Sequence, residues 1–311
     1  MILKMLIKVF IFPGFLFMSI YSFLMEYLDR KIYARMQSRT GPPWYQPIAD
    51  FFKLIGKSEI IPKDANPTMF RLLPLIALAS VAAAFAYIPI YSATATFSFD
   101  GDIVVVLYFL TIIPLTSFLA GWYSRNAYAT IGATRILTQM FAYEVPLFMC
   151  MLAPALIADT WSISQISAYY AVHPLHALIN IPVCLTGIIA IQCKLERAPF
   201  DTPEAETEIV SGVLVEYGGN LLAIFKMATN CELVLVISFF SAIFLPFFTG
   251  IAWVDFILYF VKTLLVLFIL VLMRATMARL EINNTIRFCW RYLSPIAFAQ
   301  LIINILVRSV L

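Results

Sequence analysis

Charge is scarce in this chain. Of its 311 residues, 13% are Asp, Glu, Lys or Arg and 62% are hydrophobic, against about 25% charged and 45–50% apolar in soluble domains. That excludes an ordinary water-soluble domain and leaves a membrane protein. Histidine is scarcer still, with His173 and His176 alone, and the five cysteines, at 150, 184, 193, 231 and 289, form no C-x-x-C pair. The shortage argues against iron–sulfur, haem or zinc ligation by this chain and reads the cysteines as small buried apolar residues. No glycine-rich phosphate loop, nucleophile–histidine–acid set or metal cage stands in the sequence. The net charge of +3 is too small to suggest nucleic acid. Internal repeats and low-complexity tails are also missing.

Long apolar runs, by contrast, are abundant. At about 20 apolar residues per crossing, eight spans are expected: 2–25, 72–91, 103–123, 136–158, 177–193, 219–248, 254–273 and 292–310. The first is read as a retained span, because no separable cleavage signal precedes the next run. The expected fold is an all-α, polytopic membrane protein: one integral domain over 1–311, with connections at 26–71, 194–218 and 274–291. Arg30, Lys31, Arg35, Arg39, Lys53, Lys57, Lys63 and Arg71 crowd the first connection, and Arg125, Arg135, Lys194, Arg197, Arg274, Arg279, Arg287 and Arg291 fall in others on the same side. The alternate connections hold no base, so the basic ones are expected to be cytoplasmic. Lys4, Lys8 and Arg308 are mild exceptions. Within "YQPIADFFKLIGKS", Ile48, Phe51, Phe52 and Ile55 recur at helical spacing, which predicts an amphipathic helix on the membrane, on a partner or on the chain itself.

The acids are concentrated as sharply as the bases. "LERAPFDTPEAETEIVSGVLVEYGG" (195–219) holds Glu196, Asp201, Glu204, Glu206, Glu208 and Glu216 with only Arg197 for company. Its punctuation predicts a turn and then a helix, with Asp201 or Thr202 as N-cap and Pro203 in the first turn. Glu204 and Glu208 would share a face. Dipole capping accounts for two or three acids but not six; crowded carboxylates are expected to share protons and titrate as a set. Glu144 and Glu232 lie within expected spans, as do Lys226 and Lys262. Ionisable groups at membrane depth usually face a bundle interior or a water path, so a proton relay is expected; for the lysines the alternative is snorkelling at a helix end.

Four stretches then carry a resemblance. "DRKIYARMQSRTGP" (29–42) with "QPIADFFKLIGKSEIIP" (46–62), "IGATRILTQMFAYEV" (131–145), "RAPFDTPEAETEIVSGVLVEYGG" (197–219) and "MRATMARLEINNTIRFCW" (273–290) resemble, in order, the membrane subunit of respiratory complex I that sits beneath the iron–sulfur arm. Its relatives serve membrane-bound nickel–iron hydrogenases and formate hydrogenlyases. The resemblance implies a non-catalytic subunit without cofactors of its own, coupling electron transfer in a peripheral arm to ion movement. Arg197, Asp201, Glu204, Glu206, Glu208 and Glu216 would form the coupling region with Arg135 and Glu144 nearby, and Arg30, Lys31, Arg39, Arg274 and Arg279 would dock or tune the arm. The implied partners are iron–sulfur, hydrogenase-like arm subunits carrying the clusters and a nickel–iron site, antiporter-like membrane subunits, the bilayer and, indirectly, ferredoxin.

Departures from that pattern bear on the acceptor. Only Pro43, Trp44 and Tyr45 separate "GP" from "QP", where quinone-reducing members usually carry an insert. Glu281, Ile282, Asn283 and Asn284 stand in place of an Arg-Tyr-Asp-Gln type run, and Lys194 stands where many members have an acid. These features look more like the hydrogenase branch, or an archaeal relative that reduces sulfur compounds with ferredoxin. The alternatives are the quinone-site subunit of a true complex I, a stand-alone transporter, whose inverted repeat is missing, and a passive scaffold.

Overall fold

Fourteen α-helices and two tighter or wider turns account for the regular structure among the described residues. The computed structural model describes residues 2–92, 94–203 and 206–310. In order, the helices are α1 (Ile2–Phe10), α2 (Phe15–Met36), α3 (Gln46–Ile55), α4 (Pro67–Phe85), α5 (Asp102–Tyr123), α6 (Ala127–Ala158), α7 (Ile163–Val172), α8 (Pro174–Ile179), α9 (Ile181–Lys194), α10 (Glu206–Ile209), α11 (Gly219–Phe244), α12 (Ala252–Thr276), α13 (Ile282–Phe288) and α14 (Ser294–Val310). Among the described residues, seven helical stretches are long and apolar enough to cross a membrane, and α9 is a shorter apolar eighth. The polytopic all-α expectation therefore stands, with shifted edges and with the first expected span, 2–25, broken after Phe10 and resumed from Phe15 to Met36. The 177–193 span starts only at Ile181, after α8 stops at Asn180; Pro182 at the head of α9 suits a first turn and cannot continue an earlier helix. The 136–158 span begins nine residues early, because Asn126 caps α6 by accepting from the Tyr128 N–H at 2.8 Å. The 219–248 span ends at Phe244, and the last crossing runs back through a π turn at Cys289–Leu293 to Ile282.

Helix α11 is the hub of the bundle. Apolar residues surround it on every side, and such a helix belongs in an interior; nineteen of its 26 residues are buried. It packs on α4, α2 and α12, while α6 packs on α5, α9 and α14. The basic connections gather at one end of this bundle, the basic end. The amphipathic helix forms where expected, as α3. Phe51 turns inward onto Phe23, with ring centroids 5.3 Å apart, while Ile48, Phe52 and Ile55 remain exposed as an apolar face for membrane or partner.

Candidate functional site: a charged chamber at the basic end

Among the described residues, the expected helix in the acidic stretch is a single turn, α10. Val210 and Gly212 both adopt positive φ, which ends a right-handed helix. A Cβ on Gly212 would lie 2.4 Å from the Pro203 carbonyl oxygen, so only glycine permits this return. A 3-10 turn, Gly212–Leu214, then seats on α6, where a Cβ on Gly132 would meet the Val213 nitrogen at 2.9 Å. Two glutamines that the sequence reading passed over hold the start of the connection. Gln139 on α6 donates to the carbonyls of Cys193 and Phe200, both at 2.9 Å, and accepts from Thr202 at 2.8 Å. Gln192 donates to the Ala198 carbonyl at 2.6 Å.

This folding leaves a chamber of about 570 Å³ between α2, α5, α9, α11 and the basic-end connections. Ten of the residues lining it are acids or bases: Glu26, Asp29, Arg30, Lys194, Glu196, Arg197, Asp201, Glu232, Arg274 and Arg279. Asp29, on α2, is buried and accepts from Arg197 at 2.7 Å and from Arg274 at 3.1 Å. One carboxylate thus joins α2, the acidic connection and α12, and Arg274 also lies over the Tyr33 ring at 4.5 Å. Glu26 pairs with Arg30, one turn on, and accepts from Asn230 at 2.5 Å. Lys194 and Glu232 form a buried ion pair. A cavity this polar and roomy suits water, which would connect its charged groups by hydrogen bonds.

The expected site residues divide into groups. Asp201 meets Arg279 at 3.1 Å in the chamber wall. Glu208 lies outside it, bonded to Arg135 at 2.5 Å and 3.8 Å from Arg279. The Arg135 hydrogen bond and charge, with Arg279 behind them, hold the Glu208 carboxyl below the usual glutamate range. Glu216 is separate, accepting from Asn126 at 2.5 Å and so supporting the cap of α6. Glu204 lies outside the described residues, as does the side chain of Glu206. Glu144 is half-buried on α6 beyond the chamber wall, nine residues and about 13 Å from Arg135. Lys226 is exposed on α11, and Lys262 is buried in α12 toward the opposite end, donating to the Phe247 carbonyl at 3.3 Å. Arg30 also reaches Asp50 of α3 at 3.4 Å, Lys31 reaches the Pro42 carbonyl at 3.4 Å, and Arg39 is exposed.

Sequence reasoning missed Asp29, Glu26 and Lys194 as members of the site. Both acids stand just past the first expected span, at the start of the 26–71 connection, where α2 runs on to Met36; their spacing of three marks one helix face, and that face was the available signal. For Lys194 no local signal existed, since Glu232 is 38 residues away.

An all-helical bundle with a charged chamber at one end defines a polytopic membrane protein, and comparison with known proteins supplies the family. The family model for NADH dehydrogenase matches residues 7–305, and the chain belongs to that family. It is 30% identical over 313 residues to a subunit of the NADH-quinone oxidoreductase of Dehalococcoides mccartyi (strain CBDB1), covering 97% of this chain and 86% of the relative. It is 32% identical over 301 residues to the corresponding subunit of the Bacillus cytotoxicus enzyme, covering 90% and 87%. A chain in the structure of the membrane-bound sulfane sulfur reductase, an archaeal respiratory membrane complex, superposes with a TM-score of 0.85 at 27% identity, covering 97% of this chain and 99% of that one. The protein is thus a membrane subunit of a complex I-like respiratory assembly, with other subunits as partners. A stand-alone transporter does not fit this membership.

Proposed function

We propose that this chain anchors and couples a ferredoxin-linked, ion-translocating oxidoreductase of the hydrogenase or sulfur-reducing type. One observation carries the reading. The chain superposes on the sulfane sulfur reductase subunit over 97% of its own residues, at a TM-score of 0.85. The short 43–45 linker and the charged chamber wall support it, since an isoprenoid quinone favours an apolar slot. In this reading the basic end is cytoplasmic and carries an iron–sulfur arm, with nickel–iron in the hydrogenase case, and antiporter-like subunits flank the bundle. A redox step in the arm shifts the protonation or arrangement of the acidic connection and of the charges it meets. That shift passes toward Glu144 and the neighbouring subunits as H⁺ or Na⁺ movement.

The test is purification of the tagged complex in mild detergent, with metal analysis and three acceptor assays. Nickel near one per complex with hydrogen evolution from reduced ferredoxin supports the hydrogenase form, and iron without nickel with sulfide release supports the sulfur-reducing form. Quinone reduction as the sole activity would establish the second reading, the quinone-site subunit of a complex I, which the names of the curated relatives favour. In the working complex, Glu208→Gln or Glu144→Gln is expected to lower ions moved per electron; an unchanged ratio with assembly intact removes that carboxylate from the path.

A further inference from the structure

Polar side chains are stacked between the chamber and the opposite end of the bundle, along the seam where α2, α11 and α12 meet. The buried face of α12 changes character halfway. Asp255, Tyr259, Lys262 and Thr263 occupy it toward the far end, and Val266, Leu267, Leu270 and Val271 toward the basic end. Where α12 turns apolar, α2 takes over. The Tyr21 and Thr263 hydroxyls share a hydrogen bond of 2.6 Å, and α2 continues through buried Ser22 to Glu26 in the chamber wall. A second cross-helix bond joins the Tyr259 hydroxyl to Ser238 of α11 at 2.7 Å. At the far mouth, Asp255 accepts from the Thr249 N–H and hydroxyl at 2.7 and 2.8 Å. Beside Tyr21, the buried Ser19 hydroxyl has no hydrogen-bond partner among the described residues.

Helix packing alone does not account for this pattern. Hydroxyls bonded to carbonyls of their own helix, as Ser22 is to Ser19 at 2.8 Å and Thr263 to Tyr259 at 2.8 Å, are ordinary in membrane helices. A lysine buried ten residues into α12, on the face that carries Asp255 in its first turn, is not, because an ionisable group within a span is costly and marks an ion pathway. The α12 portion, Asp255 to Thr263, and the α2 portion, Tyr21 to Glu26, together cover about 20 Å at 1.5 Å per residue, out of a hydrocarbon core of about 30 Å.

We infer that this seam is a proton path between the chamber and the far face, inside this subunit. Glu26, Lys262 and Asp255 each take up and release one proton. Between them the hydroxyls of Ser22, Tyr21 and Thr263 accept a proton on one side and give their own up on the other, so they end unchanged. The inference rests on the ion-coupling reading above and adds a route that the acidic connection does not supply.

The test uses the whole complex in sealed vesicles, with proton movement per electron and uncoupled electron transfer measured side by side. Tyr21→Phe and Thr263→Val are expected to lower protons per electron at least twofold, with uncoupled electron transfer within twofold of the parent, and Thr263→Ser to restore the ratio. Should Thr263→Val fail to assemble, Lys262→Met interrupts the same seam and is expected to lower the ratio likewise. An unchanged ratio in Tyr21→Phe and Lys262→Met, with assembly intact, overturns the path. A parent complex that moves no ions would instead refute the coupling reading, and needs no variant to show it.

Discussion

At the scale of single residues, the buried Lys194–Glu232 pair matters most for stability. Taking two charges out of water offsets most of their attraction, so the pair itself adds little, but removing one partner leaves a buried charge at a cost of about 3–5 kcal/mol. Lys194→Met is therefore expected to lower the thermal midpoint of the detergent-extracted complex by several degrees, and adding Glu232→Leu to recover most of it. A double variant no more stable than the single one would mean that the pair is not what the lysine supports. Glu208 offers a pH test. Its carboxyl is held below the ordinary range, so the bridge to Arg135 stands at neutral pH and persists through the range where a free glutamate protonates. It breaks only as the pH falls through the lower, folded value. Amide exchange over residues 206–214 is expected to rise below that point, and Glu208→Gln to abolish the transition.

At the scale of elements, glycine decides how the basic-end connections fit together. Gly219 holds a φ of +60°, and a Cβ there would approach the Ser58 carbonyl oxygen to 2.6 Å. The head of α11 thus sits directly against the segment following α3. Gly219→Ala combines an unfavourable backbone with a backbone clash, an incompatible site where the loss exceeds about 1 kcal/mol. Protease cleavage or faster exchange within 56–66 is the expected sign, and unchanged protection there would show that the contact is dispensable. The same connection illustrates a limit of pattern reading. Cap and proline signals predicted a helix after Asp201, yet Val210 and Gly212 turn the chain back, because the 3-10 turn gains packing against Gly132.

At the scale of the whole molecule, the distribution of bases predicts sidedness. Cysteine introduced at Lys57 is expected to react with an impermeant reagent from the cytoplasmic side, and one at Asp100 from the other. The opposite pattern would invert the proposed position of the arm. The hydrophobic runs were enough to read the class and the approximate number of crossings, since any stretch that spans lipid must satisfy its own backbone and be apolar over about 20 residues. Helix edges were less legible, because Asn126 and the π turn extend helices past the point where hydropathy falls.

The sequence by itself determined the membrane class, the asymmetry of charge between the two ends and the acidic stretch; its motifs resembled the family that comparison then showed. These are properties of composition and local order. Only the tertiary structure decided which charges meet. Asp29 joins Arg197 and Arg274, Lys194 finds Glu232 and Tyr21 finds Thr263 across separations of 38 to 245 residues. Glu216 and Lys262, by contrast, leave the cluster that proximity in sequence or membrane depth suggested. Pairing of this kind follows from where α2, α9, α11 and α12 bring their faces together, and helix packing, unlike hydropathy, is a relation between segments distant along the chain.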